Sequence, residues 1–326
     1  PAGVPGENDD VTIDVKNGNY GGVVSITTNV RIASLTIGNG CALTLFATNN
    51  ATGGSPNNAT LDSQFLIDPD DVSPATFEVT GDLKINNGRI IVGAKNWKRH
   101  PEITVGGDFV CGNNTSIKYV YIAAGETNAA YTAFGGGGFF TVKGDTTLTS
   151  GAQIYPYCHS AHGSGVIFTF RDLEVQSGAQ FYAEGRGGFD YAHSPGCNGT
   201  ADSGSYGGLA SNTGTMYGEV DKPYLPGSTT SRADGGGSVR IVATNVVIDG
   251  AINVNGAYGV VNYNPSGGAV WIKCKTLAGS GTISADGGSN NKGRFESDGS
   301  IRGAGGRIAL DVDEPVTDDF NLAVSA

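Results

Sequence analysis

The chain contains 326 residues, 53 of them glycine, and its formal net charge is −11 at pH 7. Glycine without a three-residue period excludes collagen, and a hydrophobic content of 38% excludes a disordered glycine linker. Only 20 residues are lysine or arginine, which argues against a nucleic-acid partner, and no apolar run is long enough to span a bilayer.

A strand-like phrase recurs along the chain. Its form is apolar-x-apolar, a short turn, apolar-x-apolar, a Gly or Asn corner, and then an apolar residue again. The copies, in chain order, are "VRIASLTIGNGCALTL" from Val30, "FEVTGDLKINNGRIIV" from Phe77, "ITVGGDFVCGNNTSIKYV" from Ile103, "FTVKGDTTLTSGAQIY" from Phe140, "FTFRDLEVQSGAQFYAEG" from Phe168, "GGGSVRIVATNVVIDGAINVNG" from Gly235, "GGAVWIKCKTLAGSGTISADG" from Gly267 and the partial copy "GGRIALDV" from Gly305.

The last two full copies align without a gap, so that Val239 corresponds to Val270 and Ile252 to Ile283. Alternation with period two gives each short strand one inward face, and no helical pattern separates the strands. Units of roughly twenty to thirty residues with three short strands are typical of the coils of a parallel β-helix. A β-sandwich also has many short strands, but it normally shows hairpin turns.

The sequence therefore predicts an all-β, single-stranded parallel β-helix (a solenoid) with long glycine-rich loop insertions. The whole chain, 1–326, is expected to form one domain. Insertions are expected near 47–76, 118–138 and 186–234. The last of these is predicted to lie as a cover along the face of the rod.

The first insertion carries Asp68, Asp70 and Asp71, which could hold Ca²⁺. No recognised ligand spacing supports a calcium site, and acidic loops are usually solvated. We therefore expect no cofactor.

A basic and aromatic cluster follows the copy of the repeat that begins at Phe77. Trp97, Arg99 and His100 lie within "KNWKRHPE" and could stack on a sugar ring and pair with a uronate or a sulfate. Tyr157 and Tyr182 are further candidates for ligand binding. The alternative is a solvated turn in which Trp97 covers the edge of the core.

The densest group of polar and aromatic residues follows the same strand in two adjacent repeats, "AQIYPY" and "AQFYAEG", so the two stretches are expected to emerge side by side. Histidine, tyrosine and arginine are the groups that a polysaccharide lyase needs as a base and as a partner for the substrate carboxylate. The histidines could instead bind a metal, or the group could simply pack a loop. The catalytic candidates are Tyr155, His159, His162, Arg186, Tyr191 and His193.

The five cysteines form no CxxC pair, which argues against a zinc site. Cys41, Cys111 and Cys274 lie in strand-like phrases and are expected to be buried. Cys158 and Cys197 lie in loop-like stretches and are candidates for a disulfide.

Two long stretches resemble a known class of protein. "VTIDVKNGNYGGVVSI" and the glycine-rich run from "GSYGGLASN" to "GGGSVRIVATNVVIDGAINVNG" resemble the glycine-rich parallel β-helix segments of large secreted bacterial surface proteins. The resemblance implies an extracellular or cell-surface location, and partners that are other copies of the chain or surface polysaccharide. It implies no activity, because that group mixes adhesins, structural proteins and polysaccharide-active enzymes.

We therefore expect a non-catalytic surface or matrix protein. The alternatives are a polysaccharide lyase and a carbohydrate-binding module. In the tail that begins at Asp311, apolar residues occupy every second position at Phe320, Leu322 and Val324. The tail could therefore pair as a strand, on its own chain or on a neighbouring copy. Pairing on a neighbour would join rods into fibres.

Overall fold

The computed structural model describes most of the chain. The described residues are 5–14, 23–26, 28–38, 40–45, 75–94, 101–112, 116–122, 136–158, 163, 165–187, 196, 204–210, 214–258, 263–288, 303–314 and 321–326.

Within these ranges the chain forms 21 strands and no helix, and the strands belong to two sheets. The first sheet has 12 strands. These are β1 (Asp10–Ile13), β3 (Val30–Ile32), β4 (Ser34–Gly38), β6 (Ala75–Val79), β7 (Leu83–Asn86), β9 (Pro101–Val105), β10 (Phe109–Gly112), β12 (Gly136–Leu148), β14 (Gly165–Val175), β16 (Ser238–Ile248), β18 (Ala269–Ala278) and β20 (Arg307–Val312).

The second sheet has nine strands in the described part of the chain. These are β2 (Val23–Ile26), β5 (Ala42–Leu45), β8 (Arg89–Ala94), β11 (Ser116–Ile122), β13 (Gln153–Tyr155), β15 (Gln180–Tyr182), β17 (Ala251–Asn253), β19 (Thr282–Ser284) and β21 (Ala323–Ser325).

The chain passes back and forth between the two sheets, and each strand pairs in parallel with its counterpart one repeat later. The aligned copies have the predicted register, since Val239 pairs with Val270 and Ile252 with Ile283. This arrangement is compatible with an all-β parallel solenoid. The prediction of an all-β parallel architecture is confirmed.

A single apolar core runs along the stack. The alternate residues of each strand that face inward are buried, as the pattern of β7 and β6 illustrates. Four phenylalanines meet where β12 and β14 face β15: Phe168 has its ring centroid 6.2 Å from that of Phe140 and 5.2 Å from that of Phe181, and Phe170 also contacts Phe140. Cys41, Cys111 and Cys274 are buried in the same core, as predicted.

A line of polar side chains runs across the first sheet. It lies at the turn between β6 and β7, at the turn between β9 and β10, and at the equivalent position within β12. The carboxylate of Asp82 accepts a hydrogen bond from the backbone N–H of Asp108 at 3.0 Å, and that of Asp108 accepts one from Asp145 at 2.9 Å. Arg171 forms an ion pair with Asp145. Each carboxylate thus fixes the turn of the next repeat.

A second kind of packing joins segments outside the strands. We call the segments 204–208, 227–228, 235–237, 264–268 and 303–306 the glycine layer. Backbone hydrogen bonds connect them directly: Gly236 donates to Ser266, Gly267 donates to Ala304, and Ala304 donates to Gly204. A Cβ built on Gly236 would overlap the carbonyl oxygen of Val254, and one built on Gly267 would overlap that of Ala285. Only glycine permits backbones to approach this closely.

The structure describes the three predicted insertions in part. Residues 46–74 lie outside the described residues. The strand β11 continues to Ile122 and β12 begins at Gly136, so strands occupy both ends of the predicted range 118–138. Between β15 and β16 the described residues form no strand, and several of them belong to the glycine layer.

The tail pairs on its own chain. The strand β21 lies parallel to β19, with Val324 opposite Ile283. Of the two arrangements that the sequence leaves open, the structure contains the intramolecular one. Phe320 lies outside the described residues.

Candidate functional site

Two tyrosines lie side by side on adjacent strands of the second sheet. Tyr155 ends β13 and Tyr182 ends β15, and the neighbouring residues Ile154 and Phe181 pair directly. Because side chains alternate along a strand, Ile154 and Phe181 are buried and the tyrosines face outward. The two rings meet edge to face, with centroids 5.7 Å apart.

Arg186 folds back over these rings. Its guanidinium carbon lies 4.7 Å from the ring centroid of Tyr155, 4.6 Å from that of Tyr157 and 5.1 Å from that of Tyr182. Its Nε donates to the carbonyl oxygen of Tyr182 at 3.0 Å, and its Nη1 donates to the hydroxyl of Tyr157 at 2.7 Å. We call these four residues the tyrosine–arginine cluster.

A tight turn between Tyr182 and Arg186 makes this geometry possible. Gly185 has a φ of 59°, in the left-handed region that favours glycine. Its N–H donates to the carbonyl oxygen of Asn255 at 3.0 Å, and the carbonyl oxygen of Arg186 accepts from the N–H of Cys158 at 3.1 Å. Hydrogen bonds to the repeat before and to the repeat after therefore fix the backbone of the turn.

Two tyrosines of the cluster, Tyr155 and Tyr182, have a raised pKa. Burial raises the pKa of Tyr155 above its ordinary value, while the charge of Arg186 opposes that shift. Burial, together with the negative charge of Glu184, raises the pKa of Tyr182. Both hydroxyls are therefore protonated at neutral pH, and the hydroxyl of Tyr155 donates to the side-chain oxygen of Gln153. Protonated phenols can donate hydrogen bonds but are poor general bases.

Glu184 and Asn253 border the cluster. The Nδ2 of Asn253 donates to the carboxylate of Glu184 at 2.9 Å, and Asn253 pairs with Tyr182 in the sheet. Neither residue is among the candidates drawn from the sequence. Aligning "FYAEG" with "INVNG" in the sequence is enough to predict that Asn253 lies next to Tyr182.

The structure brings together four of the residues singled out from the sequence, two from each of the two predicted roles. Tyr155 and Arg186 are catalytic candidates, and Tyr157 and Tyr182 are candidates for ligand binding. The remaining candidates lie outside the described residues: Trp97, Arg99, His100, His159, His162, Tyr191 and His193. Their roles stay predictions.

A buried polar group lies beneath the glycine-rich segment. Arg240 is fully buried, and its Nη2 donates to the carbonyl oxygen of Gly165 at 2.7 Å. Burial lowers the pKa of Arg240 to about 10, so it keeps its charge at neutral pH. Burial raises the pKa of Cys158 to about 12, so this thiol is protonated and unreactive.

Cys158 is buried and forms no disulfide with a described residue. Its predicted partner, Cys197, lies outside the described residues, so the disulfide stays a prediction. In the part of the chain that the structure describes, no three His, Cys, Asp or Glu side chains are grouped so that they could hold a metal ion. The same part contains no helix that could cross a membrane.

Comparisons with protein-family models, with curated proteins and with solved structures find no match to this chain. Its function must therefore be inferred from the stacked sheets and from the tyrosine–arginine cluster.

Proposed function

We propose that the chain is an extracellular, non-catalytic β-helix protein of a bacterial surface or matrix, in which the two sheets are faces of a single-stranded parallel helix. One observation carries the proposal. The chain alternates between two sheets, and its strands pair in parallel with their counterparts one repeat away.

Such an arrangement is suited to a mechanical role. Each repeat contacts only its neighbours, so the stack forms a stiff body whose stability is a sum of local contacts. The nine strands of the second sheet, spaced at about 4.8 Å, would span roughly 40 Å. The glycine layer adds backbone hydrogen bonds to those of the sheets. The extracellular location is supported by the resemblance to secreted bacterial surface proteins.

Force spectroscopy tests the structural part of the proposal. Pulled from its ends, a solenoid should open one repeat at a time. The 31 positions between Val239 and Val270 correspond to about 110 Å of extended chain per step. A single rupture that releases the whole chain would contradict the solenoid.

Negative-stain electron microscopy at neutral pH tests assembly. Filaments would support fibre formation, and isolated particles would contradict it.

The second candidate function is glycan binding, and the tyrosine–arginine cluster favours it over a lyase activity. A lyase needs a base, whereas the raised pKa values of Tyr155 and Tyr182 keep both hydroxyls protonated. As a non-catalytic protein, the chain should release no unsaturated, ultraviolet-absorbing product from acidic polysaccharides. Detection of such a product would overturn the non-catalytic proposal and direct attention to His159, His162 and His193.

A further inference from the structure

We propose that the tyrosine–arginine cluster binds a carboxylate-bearing polysaccharide, with the guanidinium of Arg186 as the group that receives the carboxylate. This inference rests on the extracellular rod proposed above, because that location supplies a polysaccharide partner. It adds the chemical class of the ligand and the residue that selects it.

Arg186 has hydrogen-bonding capacity to spare. A guanidinium has five N–H donors in a fixed fork. Within the described residues, Nε is bonded to the carbonyl oxygen of Tyr182 and Nη1 to the hydroxyl of Tyr157. These two bonds fix the plane of the group. The Nη2 donors make no hydrogen bond to any described residue, and the proposal assigns them to the carboxylate of the ligand.

The cluster also carries a positive charge. The aromatic rings attract the cation but do not neutralise it. No described carboxylate forms an ion pair with Arg186, and the nearby Glu184 is hydrogen-bonded to Asn253. A fixed positive charge thus lies in a partly buried setting on a protein whose net charge is −11. A carboxylate on Nη2 would gain charge-assisted hydrogen bonds without first breaking an ion pair between Arg186 and a described carboxylate.

The surface around the cluster suits a long ligand rich in hydroxyls. The sheet register places Asn253, Ser284 and Ser325 in line with Tyr182, one strand after another. Amide and hydroxyl groups therefore recur at about 4.8 Å along the stack. A linear polysaccharide lying along this line would meet a donor or an acceptor at each strand.

The surroundings limit the charge of the ligand. Glu184 and Asp286 lie near the same line, and Asp286 accepts a hydrogen bond from Ser325 at 3.0 Å. These carboxylates repel a densely charged polyanion. The expected ligand carries a carboxylate at the position of Arg186 and hydroxyls elsewhere, so a uronate fits better than a heavily sulfated sugar.

Affinity electrophoresis of the purified chain through gels that contain alginate tests the proposal. We expect retardation by alginate and little retardation by its neutral propylene glycol ester. Arg186→Gln should weaken retardation at least about tenfold, because a charge-assisted contact is lost. Arg171→Gln is the matched control, since Arg171 is an exposed arginine on the first sheet, and it should bind as the wild type does.

Several outcomes would overturn the proposal. Equal binding of alginate and its neutral ester would do so, as would wild-type binding by Arg186→Gln. Tighter binding of dextran sulfate or polyglutamate than of alginate would assign the site to a sulfate or to an acidic peptide instead. Circular dichroism checks that Arg186→Gln is folded. If that variant unfolds, Tyr157→Phe, which removes only the hydroxyl bonded to Nη1, must bind alginate several-fold more weakly.

The two proposals fail in different ways. If the wild-type chain opens one repeat at a time but does not bind alginate, the ligand proposal fails and the proposal of a rod stands. A chain that ruptures as one unit would remove the rod even if alginate still binds.

Discussion

The apolar core and the glycine layer hold neighbouring repeats together by opposite means. In the core, large side chains such as Phe140 and Phe168 fill the space between backbones. At the glycines of the glycine layer there is no side chain, and backbones such as those of Gly236 and Ser266 bond directly. The core depends on the volume of its side chains, whereas the layer depends on their absence, so the two should respond to substitution in opposite directions.

The largest effect is expected for a deletion in the core. Phe168→Ala removes a fully buried ring that contacts Phe140 and Phe181, and it should lower the free energy of unfolding by about 3–5 kcal/mol. Urea denaturation measures this change. Thr169→Ala, at the next and outward-facing position of the same strand, should change it by less than about 0.5 kcal/mol. Equal costs for the two variants would show that the core does not carry the stability of the stack.

A smaller loss is expected when the glycine layer gains a single methyl group. In Gly267→Ala the new Cβ overlaps the carbonyl oxygen of Ala285, and the backbone must shift at a cost of about 1–3 kcal/mol. In the control Gly208→Ala the nearest atom is the Cβ of Ala304 at 3.9 Å, so the stability should stay equal or rise slightly. Thermal unfolding compares the two. If both alanine variants melt together, the layer is not closely packed.

The smallest effect is expected for the line of carboxylates that includes Asp82 and Asp108. These side chains belong neither to the apolar core nor to the glycine layer. The pKa of Asp82 is lowered, first by the hydrogen bond from the backbone of Asp108 and then by Lys84. Its contribution to stability is therefore present above the ordinary value of about 4 and is lost as the pH falls through the lowered value. Because Asp82 is partly exposed, we expect less than about 1 kcal/mol.

Asp82→Asn isolates that contribution. The amide oxygen can still accept from Asp108, but the side chain no longer titrates. Urea midpoints measured from pH 6 to pH 2 should fall more for the wild type than for the variant. An identical fall in both proteins would show that other carboxylates cause the acid sensitivity.

The sequence is sufficient to predict the core. Apolar residues with a period of two allow only one register, because a shift by one residue would turn Val239 and Ile241 away from the interior. They accordingly pair with Val270 and Ile272. The sequence is also sufficient to predict that Tyr155 and Tyr182 lie together, since both follow the same phrase in adjacent repeats.

The sequence is not sufficient for the glycine layer or for the direction of Arg186. Contacts between backbones leave no pattern of side chains to recognise, so the sequence predicts no more than a cover for 186–234. Arg186 turns back onto the tyrosines because Gly185 adopts a left-handed conformation between them, and glycine in a sequence does not specify which turn it makes. The sequence therefore separates Arg186 from Tyr157 and Tyr182 by role, whereas the structure places all three in one cluster.

The glycine layer also limits how this protein can change over generations. A core residue such as Ile272 can be replaced by valine or leucine with modest loss, and its neighbours can adjust afterwards. Glycine has no smaller replacement, so at Gly267 every single-nucleotide change that alters the residue enlarges it. The core can therefore drift in composition while the layer cannot, and lineages of this protein would diverge in their apolar residues long before they diverge in these glycines.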